Sequence, residues 1–260
     1  MNLPFLLGGL LLGIRPAPVA AALKKILRLK RREVVTSDGV FWVDPGSNTG
    51  QRIWREGSYE AASSALLKRL LRPGDTFIDI GANEGCITVP GARLVSPTGR
   101  AVAVEPQLRL HEVLRRNFSR NSVNVELVCA ALSDRCAEGH LHLTPDINNS
   151  ASGLSKQTRY TLRTQSVPLL TLEALFRQLG IKDRVIMKMD IEGFEHEAIL
   201  GSPALFQEHR IVALLLELHP AYISRRGLDL DAVSHFLAAC GYRHLPNSDG
   251  HVWALPDFNR

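Results

Sequence analysis

No run of about 18 or more apolar residues occurs, which excludes a transmembrane helix of ordinary length. No CxxC pair occurs either, and Cys86, Cys129, Cys136 and Cys240 fall at no metal-like spacing. In a chain of 260 residues they read as reduced, partly buried thiols of an intracellular protein. There is no internal repeat and no low-complexity tract. With 45% hydrophobic and 22% charged residues, a mostly disordered chain, a collagen-like repeat and a coiled coil are excluded. Acidic residues are absent from the first 32 positions, which hold Arg15, Lys24, Lys25, Arg28, Lys30, Arg31 and Arg32. The remainder carries 24 basic and 26 acidic residues, so the formal net charge of +5 belongs to that segment. A slightly acidic body is a poor tracker of a phosphate backbone, and nucleic acid is not an expected partner.

Residues 3–14 (LPFLLGGLLLGI) are apolar but too short to span a bilayer. The basic residues follow this stretch rather than precede it, unlike a signal peptide. From Val19 a helical wheel puts Val19, Leu23, Ile26 and Leu27 on one face. Lys24, Lys25, Arg28, Arg31 and Arg32 fall on the other, and Lys30 breaks the pattern. Two readings stand: a basic interfacial helix lying on an anionic leaflet, or a helix docked on the body with a solvated basic face. The expected organisation is an amphipathic arm over 1–32 and a domain over 33–260. The expected location is cytoplasmic, with peripheral membrane contact through the arm.

The body opens with a hairpin, Val34–Val35 and Val40–Val43, turned at Ser37-Asp38-Gly39. A helix over about 61–71 ends at Pro73-Gly74. Apolar runs at 76–80, 101–105, 125–129, 185–190 and 211–218 then alternate with amphipathic segments at 107–120, 171–179 and around Leu230, Val233 and Leu237. Continuous apolar strands separated by helices predict an α/β fold with a mostly parallel, doubly wound sheet. Short strands at 242–245 and 252–255 add an antiparallel edge. Asp146–Ser155, small and polar, reads as a solvated loop or as a lid over a cleft.

The sharpest signal is Asp79-Ile80-Gly81-Ala82-Asn83-Glu84-Gly85. An apolar strand ends in Asp79, passes a turn eased by Gly81 and Gly85, and enters a helix. Glu105, at the end of the next strand, is placed to accept both hydroxyls of a ribose. Together these read as an adenosine-binding βαβ unit. The spacing is GxNxG rather than GxGxxG, and Asp79 and Glu84 bracket the turn. Carboxylates there repel a pyrophosphate and suit a cation, which favours S-adenosylmethionine over NAD.

These segments, with Gly57-Ser58-Tyr59-Glu60, Glu105-Pro106, Ala131-Leu132-Ser133-Asp134 and Lys188-Met189-Asp190-Ile191-Glu192-Gly193-Phe194-Glu195, resemble the FkbM-type methyltransferases over roughly residues 59–245. The resemblance implies a Rossmann-like S-adenosylmethionine-dependent methyltransferase fold. It also implies an acceptor hydroxyl on a sugar, a lipid-linked glycan or a polyketide. Cys86 and Pro90 depart from the family pattern.

Candidate cofactor residues are therefore Tyr59, Glu60, Asp79, Gly81, Asn83, Gly85, Glu105, Ala131, Leu132 and Asp190. Strand alternation puts Lys188, Asp190 and Glu192 on one side, so Asp190 and Glu192 are candidates to position or deprotonate an acceptor, with Glu192 as a helix cap the competing reading. His219, beside Glu217, is the histidine nominated as a base. No spacing demands a metal, and none is assigned. An NAD(P)-linked oxidoreductase and a non-catalytic cofactor-binding or membrane-associated scaffold are the alternatives.

Overall fold

Two short helices, α1 (Leu3–Leu12) and α2 (Ala17–Ile26), precede a hairpin of β1 (Arg32–Val35) and β2 (Val40–Val43), then α3 (Asn48–Glu56) and α4 (Ala61–Leu70). The chain continues through β3 (Thr76–Ile80), α5 (Thr88–Val95), β4 (Arg100–Val104), α6 (Leu108–Arg120) and β5 (Glu126–Val128). Next come β6 (Ala131–Leu132), β7 (Ala137–Leu143), β8 (Arg163–Leu170), α7 (Leu172–Leu179) and β9 (Val185–Met189). It closes with α8 (Glu195–Leu200), α9 (Pro203–Gln207), β10 (Ile211–Leu216), α10 (Pro220–Arg225), α11 (Ala232–Ala239), β11 (Arg243–His244) and β12 (Val252–Ala254). This computed structural model describes residues 2–15, 17–144, 154, 163–246, 248 and 251–258.

Seven strands form one sheet in the order β11-β12-β10-β9-β3-β4-β5. Strands β10, β9, β3, β4 and β5 are parallel, and β12 pairs antiparallel with both β10 and the edge strand β11. The α/β, Rossmann-like sheet expected from the sequence is present. Both faces are covered: Val102 and Val104 of β4 enter the main core with Phe77, Met187 and Leu214. Ala103 between them faces a second cluster with Leu114 and Phe118 of α6. Apolar residues at every position are what such two-sided burial requires.

Helices α3, α9 and α10 and a second sheet were not anticipated. Helix α3 is capped by Ser47, whose hydroxyl accepts the Gly50 N–H, and ends on left-handed Gly57. A separate three-stranded sheet, β6-β8-β7, stands beside the main one, with β7 antiparallel to β8.

Helices α1 and α2 each turn one side to the body. Phe5 is fully buried, stacks on Trp54 of α3 at 5.1 Å, and joins the cluster of Phe41, Ile53, Ala82 and Cys86. Burying such a side chain contributes about 1.5–3 kcal/mol. Gln51 donates to the Phe5 carbonyl at 2.7 Å. At Gly8 a Cβ would lie 2.0 Å from the Pro45 carbonyl oxygen, so only glycine lets α1 approach this closely. The basic residues are not all on a solvated face as expected: Lys24 pairs with Asp44, and Arg31 with buried Glu84. Leu23 is half-buried, whereas Val19, Ile26 and Leu27 are exposed.

Candidate active site

The glycine-rich turn is built where β3 and β4 end. Gly81 and Ala82 donate their N–H groups to the Val104 carbonyl at 2.9 and 3.1 Å. Gly81 (φ +84°) passes so close to β9 that a Cβ would sit 1.8 Å from the Asp190 carbonyl oxygen. Asn83 adopts a left-handed φ of +50° and donates its N–H to Glu105 Oε2 at 2.8 Å. Glu105 Oε1 accepts the Gln107 N–H at 2.9 Å. One carboxylate thus fastens the turn, the end of β4 and the start of α6. Burial pushes the Glu105 pKa up to about 7, against the pull of those hydrogen bonds. Asp79 is fully buried and accepts the Thr88 hydroxyl at 2.6 Å; burial raises its pKa too.

Gly85 does not reach the cavity. It faces α6, where a Cβ would meet Leu114 and Phe118 at 3.1 Å, so its role is to let the turn pack there. Cys86 is buried in the cavity wall. Pro90 falls in the first turn of α5, where its missing N–H leaves no helical bond unmade. Neither departure from the family pattern disturbs the turn.

The second half comes from β9 and β10. Lys188 is buried 3.5 Å from Asp190 Oδ2 and 3.8 Å from Asp79 Oδ1. Burial disfavours its charge, but these carboxylates outweigh that and raise its pKa. Strand β9 stops at Met189, so Glu192 does not reach the site by strand alternation as expected. A left-handed turn at Glu192 (φ +56°) and Gly193 (φ +102°) carries it there. The N–H groups of Ile191 and Gly193 are accepted by Glu195 Oε1, at 3.0 and 3.1 Å.

The same Glu195 oxygen lies 3.0 Å from His219 Nδ1 and orients the ring, which turns Nε2 toward Asp190 Oδ1 (3.7 Å) and Glu192 Oε2 (3.9 Å). Burial works against the imidazolium, but Glu195, then Asp190 and Glu192, raise its pKa to about 9. These carboxylates favour the imidazolium over the neutral ring, which weighs against the expected role of His219 as a proton acceptor. Asp190, Glu192 and His219 form a group whose ligand atoms all lie within 4.8 Å of one another. His219 stands in this group at ion-pair distance from both carboxylates.

These two halves enclose a cavity of about 240 Å³ at the carboxyl ends of β3, β4 and β9. Tyr59, Glu60, Asp79, Gly81, Asn83, Glu105, Ala131, Leu132, Asp190, Glu192 and His219 all line it. Seven acidic side chains (Glu60, Asp79, Glu84, Glu105, Asp190, Glu192 and Glu217) outnumber the basic Arg52, Lys188 and His219 there. Asp79 Oδ1, Asn83 Oδ1 and Asp190 Oδ1 are buried acceptors with no hydrogen-bond partner. Apolar Ile80, Ala131, Leu132 and Leu141 complete the wall, and Leu154 is the one described residue of the expected lid. The rest of 146–155 lies outside the described residues. An anionic cavity with spare acceptors and apolar flanks suits a cationic ligand that brings its own donors and a flat ring. Sequence reasoning gave no role to Lys188, Glu195 or Arg52. Their contributions depend on contacts between distant segments.

A model of the FkbM methyltransferase domain matches residues 79–244. The chain is 29% identical over 174 residues to the ribosomal RNA small subunit methyltransferase G of Mycolicibacterium paratuberculosis, covering 66% of each chain. It is 28% identical over 116 residues to the ribosomal protein L11 methyltransferase of Lachnoclostridium phytofermentans, covering 44% of this chain and 33% of that one. The match thus spans between a third and two thirds of these relatives' lengths. Among solved structures, an FkbM methyltransferase from Methylobacillus flagellatus aligns with a TM-score of 0.43 at 16% identity, over 74% of this chain and 50% of that one.

Proposed function

The chain belongs to the FkbM methyltransferase family, and from that membership we propose that it transfers a methyl group from S-adenosylmethionine to a hydroxyl oxygen of a sugar, lipid-linked glycan or polyketide-type acceptor. The observation that carries this reading is the buried Glu105 carboxylate, which holds the glycine turn at the mouth of an acid-lined cavity. The residues present fit the cofactor. Glu105 retains lone pairs for ribose hydroxyls, Ala131 and Leu132 flank the space for a flat base, and the spare oxygens of Asp79 and Asp190 suit an ammonium. When bound, the cofactor supplies a methyl group activated by a positively charged sulfur. The protein's part is alignment for in-line transfer and acceptance of the acceptor's proton, for which Asp190 and Glu192 are the available carboxylates. A pyrophosphate would face Glu60, Glu84 and Asp190, which argues against the NAD reading.

A nucleic-acid acceptor is the second reading. Two relatives that align over 66% and 50% of this chain are ribosomal RNA methyltransferases, so the −2 charge of the body is not sufficient ground to exclude RNA. Calorimetric titration is expected to give binding of S-adenosylhomocysteine and none of NAD; the reverse would sink the assignment. Incubation with labelled S-adenosylmethionine and cell extract, with and without ribonuclease, separates glycan-type from RNA acceptors by which fraction becomes labelled.

Glu105 adds a pH signature. A carboxyl whose pKa is raised to about 7 is half protonated at neutrality. A ligand donating two hydroxyls to it selects the ionised form. S-adenosylhomocysteine affinity is therefore expected to rise as pH increases through about 7, with a proton released on binding. Titrations in buffers of different ionisation enthalpy would reveal that proton; a pH-independent affinity would refute the ribose contact. Glu105→Ala should weaken cofactor binding by about 1.5–3 kcal/mol. It should also destabilise the free protein, because the Asn83 and Gln107 N–H groups lose their acceptor.

A further inference from the structure

Six of the nine large hydrophobic side chains that stand exposed among the described residues lie in α1, α2 and the residue after α2: Leu3, Leu6, Leu10, Val19, Ile26 and Leu27. Leu3, Leu6 and Leu10 follow the three- and four-residue spacing of one helical stripe, and Val19, Ala22 and Ile26 repeat it on α2. The opposite stripe of α1, at Phe5, Gly8 and Leu11, is buried, with Phe5 packed on β2 and α3 and Gly8 against Pro45. On α2, buried Ala20 and the Asp44-paired Lys24 turn inward in the same way. At about 100° per residue, the outward stripes lie nearly half a turn from the inward ones on both helices. Each helix of the packed pair therefore carries an apolar stripe on its side away from the body.

Scattered exposed leucines are ordinary on a protein surface, but a contiguous patch marks a contact. The segment's exposed charges are of one sign: Arg15, Lys25, Arg28, Lys30 and Arg32 are exposed, and residues 1–32 contain no acid. The next acid, Glu33, is held by Arg116 and Arg120. A second copy of the chain seated here would bring five cations against five. An anionic bilayer offers apolar depth and opposite charge together.

We propose that the α1–α2 pair is a peripheral docking surface for an anionic lipid bilayer. This stands independently of the methyl-transfer reading. Helix α3 links the two regions: Trp54 and Gln51 hold α1, while Arg52 lines the cavity. Docking therefore sets the cavity one helix away from the lipid surface.

The test is sedimentation of the full-length protein with vesicles of equal phosphatidylcholine and phosphatidylglycerol, and with vesicles of phosphatidylcholine alone. Binding is expected to the first and not the second, and to weaken as salt is raised. Leu10→Glu with Ile26→Glu should reduce vesicle binding by about tenfold or more. Lys25→Glu with Arg28→Glu should do the same. All four positions are exposed, so melting temperature and S-adenosylhomocysteine titration should match wild type in both variants. Indifference to anionic vesicles at low salt overturns the proposal, as does binding that survives both pairs of substitutions. Self-association abolished by Leu10→Glu with Ile26→Glu, without vesicle binding, would assign the face to a second copy and likewise overturn it. Vesicle binding by a protein that fails to bind S-adenosylhomocysteine would leave docking intact and remove the methyl-transfer reading.

Discussion

Asp190→Asn is expected to lower the methyl-transfer rate by about 10²–10⁴-fold, the range for loss of a positioned general base. Asparagine keeps the size and most of the hydrogen bonding of the carboxylate and removes only its charge and basicity. The position is singled out by its surroundings. Asp190 Oδ1 is buried in the cavity wall without a hydrogen-bond partner, with His219 Nε2 at 3.7 Å, while Oδ2 is turned toward Lys188. Glu105 is committed to two backbone N–H groups, and the carboxylates around His219 favour its protonated form. Glu192→Gln is the companion test, since Glu192 faces the same imidazolium. Affinity for S-adenosylhomocysteine should change much less than turnover in at least one variant. Near wild-type rates in both would make this strand end structural.

His219 supplies the pH arm of the experiment. Its pKa is raised from 6.5 in the unfolded chain to about 9 in the fold. The stability it contributes is therefore complete below about 6.5 and is lost as pH climbs through 9. Unfolding midpoints should fall over that interval and should do so less in His219→Gln.

Arg31→Ala is expected to destabilise the protein by about 3–5 kcal/mol, the cost of stripping the partner from a buried charge. Arg31 Nη2 lies 3.0 Å from Glu84 Oε1, the Glu84 side chain is fully buried, and Arg31 Nη1 also donates to the Trp42 carbonyl. Denaturant unfolding should show the loss, and adding Glu84→Gln should recover part of it by removing the stranded charge. A cost below about 1 kcal/mol would mean the pair behaves as a solvent-screened surface bridge. Because Glu84 sits within the glycine turn, truncation of residues 1–32 should reach the cofactor site as well. It removes Arg31 and also Phe5, which packs with Ala82 and Cys86.

The strands of the main sheet were legible because burial on both faces forces an apolar residue at every position, as in IVALLL of β10. The hairpin and the turn were legible because Gly39, Gly81 and Gly85 mark positive φ. Helix α3 was not, since NTGQRIWRE is polar; it is held by Ser47 and by buried Thr49 and Gln51 as much as by Ile53. The small sheet was hidden for other reasons. Strand β6 has two residues, β7 interleaves two histidines with its leucines, and β8 contains Pro168. At the site, residue types close in sequence were readable, as in the Asp79–Gly85 turn. Pairings across the chain, such as Glu195 with His219 or Arg31 with Glu84, leave no periodic mark. They appear only when the fold brings their segments together.

The seven-stranded sheet ends on very short strands. Its outer members are β11 with two residues and β5 with three, and Glu126 on β5 is tied to Arg100 by paired hydrogen bonds. An incoming strand therefore finds only a two- or three-residue ladder of free backbone groups, flanked by charge. Ordered aggregation by strand addition has little template on this sheet, even though its interior is among the most β-prone sequence in the chain.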